Sequence, residues 1–388
     1  MSLDLRFWAI FMFLQALFSQ ASTTAFKVSL SYQAIAFNFD TTMIGLAAAA
    51  VGIPPIFAAV HAGVWADRVG GYWVALAGNA LVVASALLPL LIYTPSFLFV
   101  AAAVHGLGII LSMVGQQSVI GSIAGRAASE KAFATMFTAN ALGQMTGPLL
   151  ATGASAVWPL QSTGYAGFVA ALCIAILALV ASVFCHRPWE AHAIGHKSSG
   201  ARQGFTAISS TPGAWRVLFL NAIVLGSVDV LTVFLPIWGQ ERGISPAIIG
   251  LLLAVRAAAS IVVRFYMARI VAIFGRKTLL MGCTATIALA AAILPFANIV
   301  VASAFLVLLG LAYGMSAPIS LAWFSVSIPA SVRGSAMGIR LTVNKLTQGA
   351  LPLAIGAVSA GTTGVFAMIA ILTASSTLLV STVKFSSD

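Results

Sequence analysis

Residues 140–148 read Asn140-Ala141-Leu142-Gly143-Gln144-Met145-Thr146-Gly147-Pro148, and residues 344–352 read Asn344-Lys345-Leu346-Thr347-Gln348-Gly349-Ala350-Leu351-Pro352. Asparagine, leucine, glutamine and proline recur at the same four places, 204 positions apart. A second echo has nearly the same offset: Ile44-Gly45-Leu46 leads to Gly70, and Ile249-Gly250-Leu251 leads to Gly275, both 205 positions on. Stacked repeat proteins have periods of about 20–50 residues. A period near 200 (roughly, by the same comparison) in a chain this apolar reads instead as two homologous membrane halves.

Composition sets the solvent. Hydrophobic residues make up 61% of the 388 and charged residues 7%, whereas a water-soluble domain carries roughly a quarter charged residues. At about 20 residues per span there is room for about a dozen crossings. Apolar runs place them at 7-28, 42-64, 73-93, 97-119, 133-156, 164-185, 215-238, 247-268, 279-297, 300-325, 335-358 and 362-382. The expected fold is therefore an all-α polytopic membrane protein, with twelve helices in two pseudo-symmetric six-helix bundles. Residues 1-185 form the first half, 186-214 a polar central loop, and 215-388 the second half.

The net charge of +11 belongs to topology rather than to nucleic acid. With both termini in the cytoplasm, the loop cations Arg6, Arg68, Arg126, Lys131, Arg187, Lys197, Arg202, Arg216, Arg269, Arg276, Lys277, Arg333 and Lys384 share that side. Only Lys27 and Arg242 fall opposite, as the positive-inside rule requires. Basic runs interleaved with aromatics, which a nucleic-acid partner would need, are absent from the sequence. Cys173, Cys185 and Cys283 are scattered without ligand spacing, so neither a metal nor a disulfide frame is expected. No cofactor motif occurs, no phosphate-binding G-x-x-x-x-G-K-[ST] loop occurs, and no nucleophile–base pair points to an enzyme.

Of eight acids, Asp229 alone lies inside an apolar segment, near the middle of span 215-238. A carboxylate at that depth costs about 2.5–3.5 kcal/mol, so it must face a cavity, pair with a cation or be protonated. Arg256 falls at matching depth on the next span. The two are expected to face each other, either exchanging a proton or substrate cation during a cycle or forming a static ion pair. Arg264 and Arg340 lie near inner span ends, where long stems can reach the interface; Lys345 is deeper. Together the spans carry these four cations against one acid, which favours a carboxylate-bearing solute if the side chains point inward.

Polar faces supply further candidates. Gln15, Ser19 and Ser22 align on one face of the first span, with Thr24 two residues on. Asn140 and Gln144 stack on the fifth span, as Asn344 and Gln348 do on the eleventh. Tyr313 on the tenth span and His105 on the fourth complete the cavity candidates; the histidine's pKa range suits proton exchange, although a hydrogen-bonded packing role is the first expectation for it. Pro148 and Pro352 break backbone hydrogen bonds and permit bending.

These features resemble the major facilitator superfamily over the whole chain. Between the second and third spans stands Gly63-Val64-Trp65-Ala66-Asp67-Arg68-Val69-Gly70-Gly71, similar to the family's G-x-x-x-D-R-x-G-R/K-R/K loop, although Gly71 and Tyr72 replace its basic pair. The resemblance implies that Gly63 permits close helix contact and that Asp67 caps a neighbouring helix and pairs with arginine, latching a cytoplasmic gate with Arg68 and Gly70. An anion at a helix start is favoured by about 0.3–1 kcal/mol, a suitable size for a reversible latch. Gly143-x-x-x-Gly147-Pro148 resembles the motif the family associates with drug/proton antiporters, and is equally a general packing motif. The family's arginine on the fourth span is replaced by Ala102.

The resemblance implies a secondary transporter working by alternating access. The expectation is proton-coupled efflux of a small organic solute, with uptake or exchange of an organic anion by a symporter or antiporter as the alternative. The expected partners are solute, protons and the lipid bilayer. The expected setting is a monomer in a bacterial inner membrane.

Overall fold

The computed structural model describes residues 3–121, 126–157, 162–185, 201–329, 332–359 and 361–382. Among these, thirteen α-helices and one 3-10 turn are present and no strand. They are α1 Leu3–Ala36, α2 Thr41–Val69, α3 Gly71–Leu91, α4 Pro95–Gly121, α5 Arg126–Val157, α6 Thr163–Val183, α7 Ala201–Ser210, α8 Ala214–Glu241, α9 Pro246–Phe274, α10 Arg276–Ile293, α11 Ile299–Ser327, α12 Arg333–Val358 and α13 Gly361–Ser381. All but α7 correspond to the twelve expected spans.

Ten helices among the described residues are long and apolar enough to cross a membrane. The other two long ones are α5 and α12, which carry the repeated Asn/Gln/Pro motif. Their polar faces lower their hydropathy, yet they reach 32 and 26 residues, enough for the roughly 20 a crossing needs.

Two boundaries differ from expectation. Helix α1 runs through Lys27 to Ala36. A lysine ends a hydropathy run but not a hydrogen-bonded helix, and the continuation buries Ser29, Ser31 and Gln33. The stretch read as the central loop contains α7, whose Ile208 is fully enclosed with Val217, Leu218, Phe324 and Ala336. One anchored side chain and few apolar neighbours in sequence make such a helix look like linker. Residues 186–200 of that loop lie outside the described set, as do the cations Arg187 and Lys197.

The repeat has a geometric counterpart. Gly70 at φ 93° separates α2 from α3, and Gly275 at φ 73° separates α9 from α10. Both are in the left-handed region, where glycine bears no Cβ penalty.

The chain divides into two compact units that do not follow the halves strictly. One contains α1, α2 from Leu46, α3–α6 and the hairpin Leu235–Ala254; the other contains Asp40–Gly45, α7, α8 up to Phe234, α9 from Val255 and α10–α13.

In the first unit α1 packs on α5 and α6, and α3 on α4 and α6. Lipid supplies no hydrophobic drive between helices, so close approach of small residues and hydrogen bonds hold them. Gly78 of α3 meets the backbone of Gly108 and Ser112 on α4. Ser22 of α1 donates to the Ala171 carbonyl of α6 at 3.0 Å. In the second unit α10 packs on α11 and α13, and α7 on α12.

A polar side-chain pair links the third and sixth spans of each half, buried in the first and partly buried in the second. Asn79 Nδ2 on α3 donates to Ser182 Oγ on α6 at 2.5 Å. Thr377 Oγ1 on α13 donates to Thr284 Oγ1 on α10 at 2.7 Å. Both pairs join the third span of a half to its sixth.

Candidate functional site

Asp229 sits on α8, Arg256 on α9 and Tyr313 on α11, all within the second unit. Arg256 is 5% exposed. Its guanidinium carbon stands 6.0 Å from the Tyr313 ring centroid, within cation–π range. Asp229 lies near enough for its carboxylate to act electrostatically on the guanidinium, whose Nε has no hydrogen-bond partner among the described residues. Tyr313 is held from the other side, because Ser227 Oγ donates to its hydroxyl at 3.2 Å.

Sequence explains why the guanidinium reaches this place. A Cβ on Gly310 would overlap the Arg256 carbonyl, and one on Gly314 would come within 2.6 Å of the Ser260 carbonyl. Two glycines on one face of α11 therefore let α9 approach closely, and Tyr313 stands beside them. Asp229 is half-buried. The cluster thus joins a carboxylate with some access, an enclosed guanidinium and an anchored phenol. Such a set brings a carboxylate and a guanidinium of opposite charge into one unit.

A second polar cluster lies nearer the start of α12. Ser320 Oγ donates to Asn221 Oδ1 at 2.8 Å, and Arg340 Nη2 donates to the same oxygen at 3.3 Å. Asn221 Nδ2 donates to Asn344 Oδ1 at 2.9 Å. Arg340 was expected to reach the interface; it is buried instead, because Asn221 offers it an acceptor inside the unit. Arg264 is exposed, in keeping with a stem lying along the surface. Lys345 Nζ donates to Gln348 Oε1 at 3.2 Å, one turn along α12.

The first unit treats its candidates differently. His105 is fully buried, its Nδ1 2.8 Å from Ser85 Oγ and its ring stacked on Phe26 at 3.8 Å. These contacts with α1 and α3 fit the packing role, while its Nε2 has no hydrogen-bond partner among the described residues. The single hydroxyl proton of Thr24 has the Gln20, Ala21 and Gly143 carbonyls within reach at 3.1, 3.2 and 3.3 Å, so Thr24 lies in the α1–α5 contact. Gln15 is enclosed, and its Nε2 has no partner among the described residues. Ser19 Oγ lies 3.4 Å from Ser112 Oγ, which donates to Asn79 Oδ1 at 3.0 Å and accepts from Gln116 Nε2 at 3.2 Å. Asn140 and Gln144 are half-buried on α5. Sequence reasoning missed Asn79, Ser112, Gln116, Asn221 and Ser320. All but Gln116, which opens the polar stretch Gln116-Gln117-Ser118, are single polar residues in apolar runs, and the available signal was that lipid would not tolerate them alone.

A family model described as the Major Facilitator Superfamily matches residues 12–240 and again 217–386. The chain belongs to the major facilitator superfamily. The double match restates the repeat. Solved structures of the superfamily agree in fold. A D-xylose-proton symporter superposes with a TM-score of 0.78 at 16% identity, covering 99% of this chain and 98% of its own. The nucleoside transporter NupG gives 0.74 at 15%, covering 98% of each. The human organic anion transporter MFSD10 gives 0.64 at 16%, covering 98% of this chain and 100% of its own. A search of curated protein sequences finds no match. This superfamily member is thus a multi-pass membrane transport protein.

Two superfamily motifs can now be placed. Around Gly63 a Cβ would meet no described atom within 4 Å. Asp67 and Arg68 are exposed at the end of α2, and no described hydrogen bond or ion pair joins Asp67 to a helix start. Gly70 owes its identity to its positive φ. Gly143 and Gly147 do make close contacts: a Cβ on the first would come within 2.5 Å of the Leu17 carbonyl, and one on the second would overlap Thr24 Oγ1. Pro148 is buried between them and Thr152, whose hydroxyl donates to its carbonyl at 2.9 Å.

Proposed function

We propose that this transporter couples solute movement to protons through Asp229 and Arg256, exporting a small organic solute. The observation that carries the reading is the Asp229–Arg256–Tyr313 cluster, where one half-buried carboxylate acts on an enclosed guanidinium. Protonation of Asp229 removes the charge that stabilises Arg256. The cluster then has two electrostatic states, which is what coupling needs. One proton crossing about 100 mV supplies about 2.3 kcal/mol, or roughly a fiftyfold solute gradient.

The proposal extends to setting and organisation. Residues 1-185 and 215-388 act as two six-helix halves joined by 186-214, in a monomer. The asymmetry of the loop cations supports both termini on the cytoplasmic side, and the proposed setting is a bacterial inner membrane. No catalytic step is assigned, and nucleic acid is not a partner.

A solute screen in proteoliposomes under an imposed pH gradient tests this. Asp229→Asn should abolish pH-driven accumulation while leaving solute counterflow measurable. Unchanged pH-driven transport by folded Asp229→Asn protein would sink the coupling role.

A second reading, transport of an organic anion, draws on Arg256, Arg340 and Lys345 on α9 and α12. Selective loss of anion transport in Arg256→Gln would favour it.

A further inference from the structure

Arg340 is a buried cation whose hydrogen-bond partner among the described residues is neutral. It is 8% exposed. Its hydrogen-bonded acceptor is the amide oxygen of Asn221, which also takes the Ser320 hydroxyl. Asn344 completes the cluster through Asn221 Nδ2. Three helices thus bring four polar side chains together, and none of the four is acidic.

The acids with described side chains are engaged or placed elsewhere. Asp40 accepts from the Met43 amide at 2.8 Å, and Glu241 stands 3.8 Å from Arg242. Asp67 is exposed at the end of α2. Asp229 is eight residues beyond Asn221 on α8, about 12 Å along the axis at ~1.5 Å per residue.

A guanidinium cannot shed its proton to escape burial, and it carries five N–H donors. An amide oxygen shared with a serine meets one of them and returns only a partial charge. Burying an ion without a counter-charge is strongly unfavourable. The planar fork of arginine matches a carboxylate in a bidentate manner. A monoanion would balance this single cation, whereas a dianion would leave buried negative charge among amides and a hydroxyl.

We propose that Arg340, with Asn221, Asn344 and Ser320, forms an anion site that takes the carboxylate of a small organic acid. The site deepens the transporter reading and rests on it only in treating the ligand as a solute. It lies one level away from the Asp229–Arg256 cluster, so carboxylate binding and proton coupling are separate functions of α8.

The test is the thermal midpoint of the full-length protein in detergent, with sodium benzoate or its neutral isostere benzamide at constant ionic strength. Benzoate should raise the midpoint by several degrees, since a ligand that binds only the folded state stabilises it; benzamide should not. Arg340→Gln should remove the response, and Arg340→Lys should keep part of it. Asn344→Asp places a carboxylate one turn from Arg340 while still accepting from Asn221. It should raise the midpoint without benzoate and leave benzoate nothing to add. Equal responses to benzoate and benzamide, no response to benzoate, or a full response in Arg340→Gln would overturn the site. If Arg340→Gln does not fold, an undiminished benzoate response in Asn344→Asp overturns it alone. No pH gradient enters this measurement, so its failure is distinct from failure of coupling at Asp229.

Discussion

Gly45 lies against the carbonyl of Pro352: a Cβ built on the glycine would come 2.6 Å from that oxygen. The relation is repeated with the copies exchanged, because a Cβ on Gly250 would come 2.9 Å from the Pro148 carbonyl. Each contact falls within one compact unit. The glycine echo and the proline echo of the sequence are therefore two sides of the same contact, made twice. Gly45→Val should destabilise the protein by about 1–3 kcal/mol, the usual cost of overpacking. Gly63→Val, with open space around its Cβ, should change the thermal midpoint little.

The polar pairs should show coupling. Asn79→Ala and Ser182→Ala each remove one side of the α3–α6 hydrogen bond. Hydrogen bonds between membrane helices are worth about 0.6 kcal/mol on average and up to about 1.7 kcal/mol. A double-mutant cycle on detergent unfolding should therefore return a non-zero interaction energy of that size. The same cycle on Thr284 and Thr377 should give a comparable value.

Tyr313 separates two roles. Tyr313→Phe keeps the ring beneath Arg256 and loses the hydroxyl that accepts from Ser227. Tyr313→Ala loses both. Proteoliposome transport should fall modestly in the first and severely in the second. Equal loss in both would show that the hydroxyl, not the ring, matters.

Helix α7 should undock on loss of its anchor. Ile208 is fully enclosed, and an isoleucine truncated to alanine in a packed site costs about 2–5 kcal/mol. Hydrogen exchange over 201–210 should accelerate in Ile208→Ala while α3 and α4 are unaffected.

Architecture was legible because lipid imposes it. Helix length and apolar composition follow from bilayer thickness, so twelve spans could be read, and Lys27 misplaced only an end. Asp229 stood out because charge is rare in those spans, and Arg256 followed from matching depth. The inner cluster was hidden for the opposite reason. Asn221 and Ser320 are ordinary residues whose meaning depends on which helices meet. At His105 and Thr24 the sequence shows polarity but not the neighbours that meet it, Ser85 and Phe26 for the one and the helix carbonyls for the other.

The pair of Asn79 and Ser182 also bears on biogenesis. The residues are 103 positions apart, and at ~5–20 residues per second that is roughly 5–20 s of synthesis. During that interval the Asn79 amide is already in the nascent chain while its α6 partner does not yet exist. Ser112, 33 positions on and bonded to Asn79 Oδ1, arrives first and satisfies only the oxygen. The amide hydrogens must wait. Cysteines at 79 and 182 in length-arrested chains would report when they meet. The first half of this transporter is thus a bundle whose newborn form keeps an open valence until its sixth helix is translated.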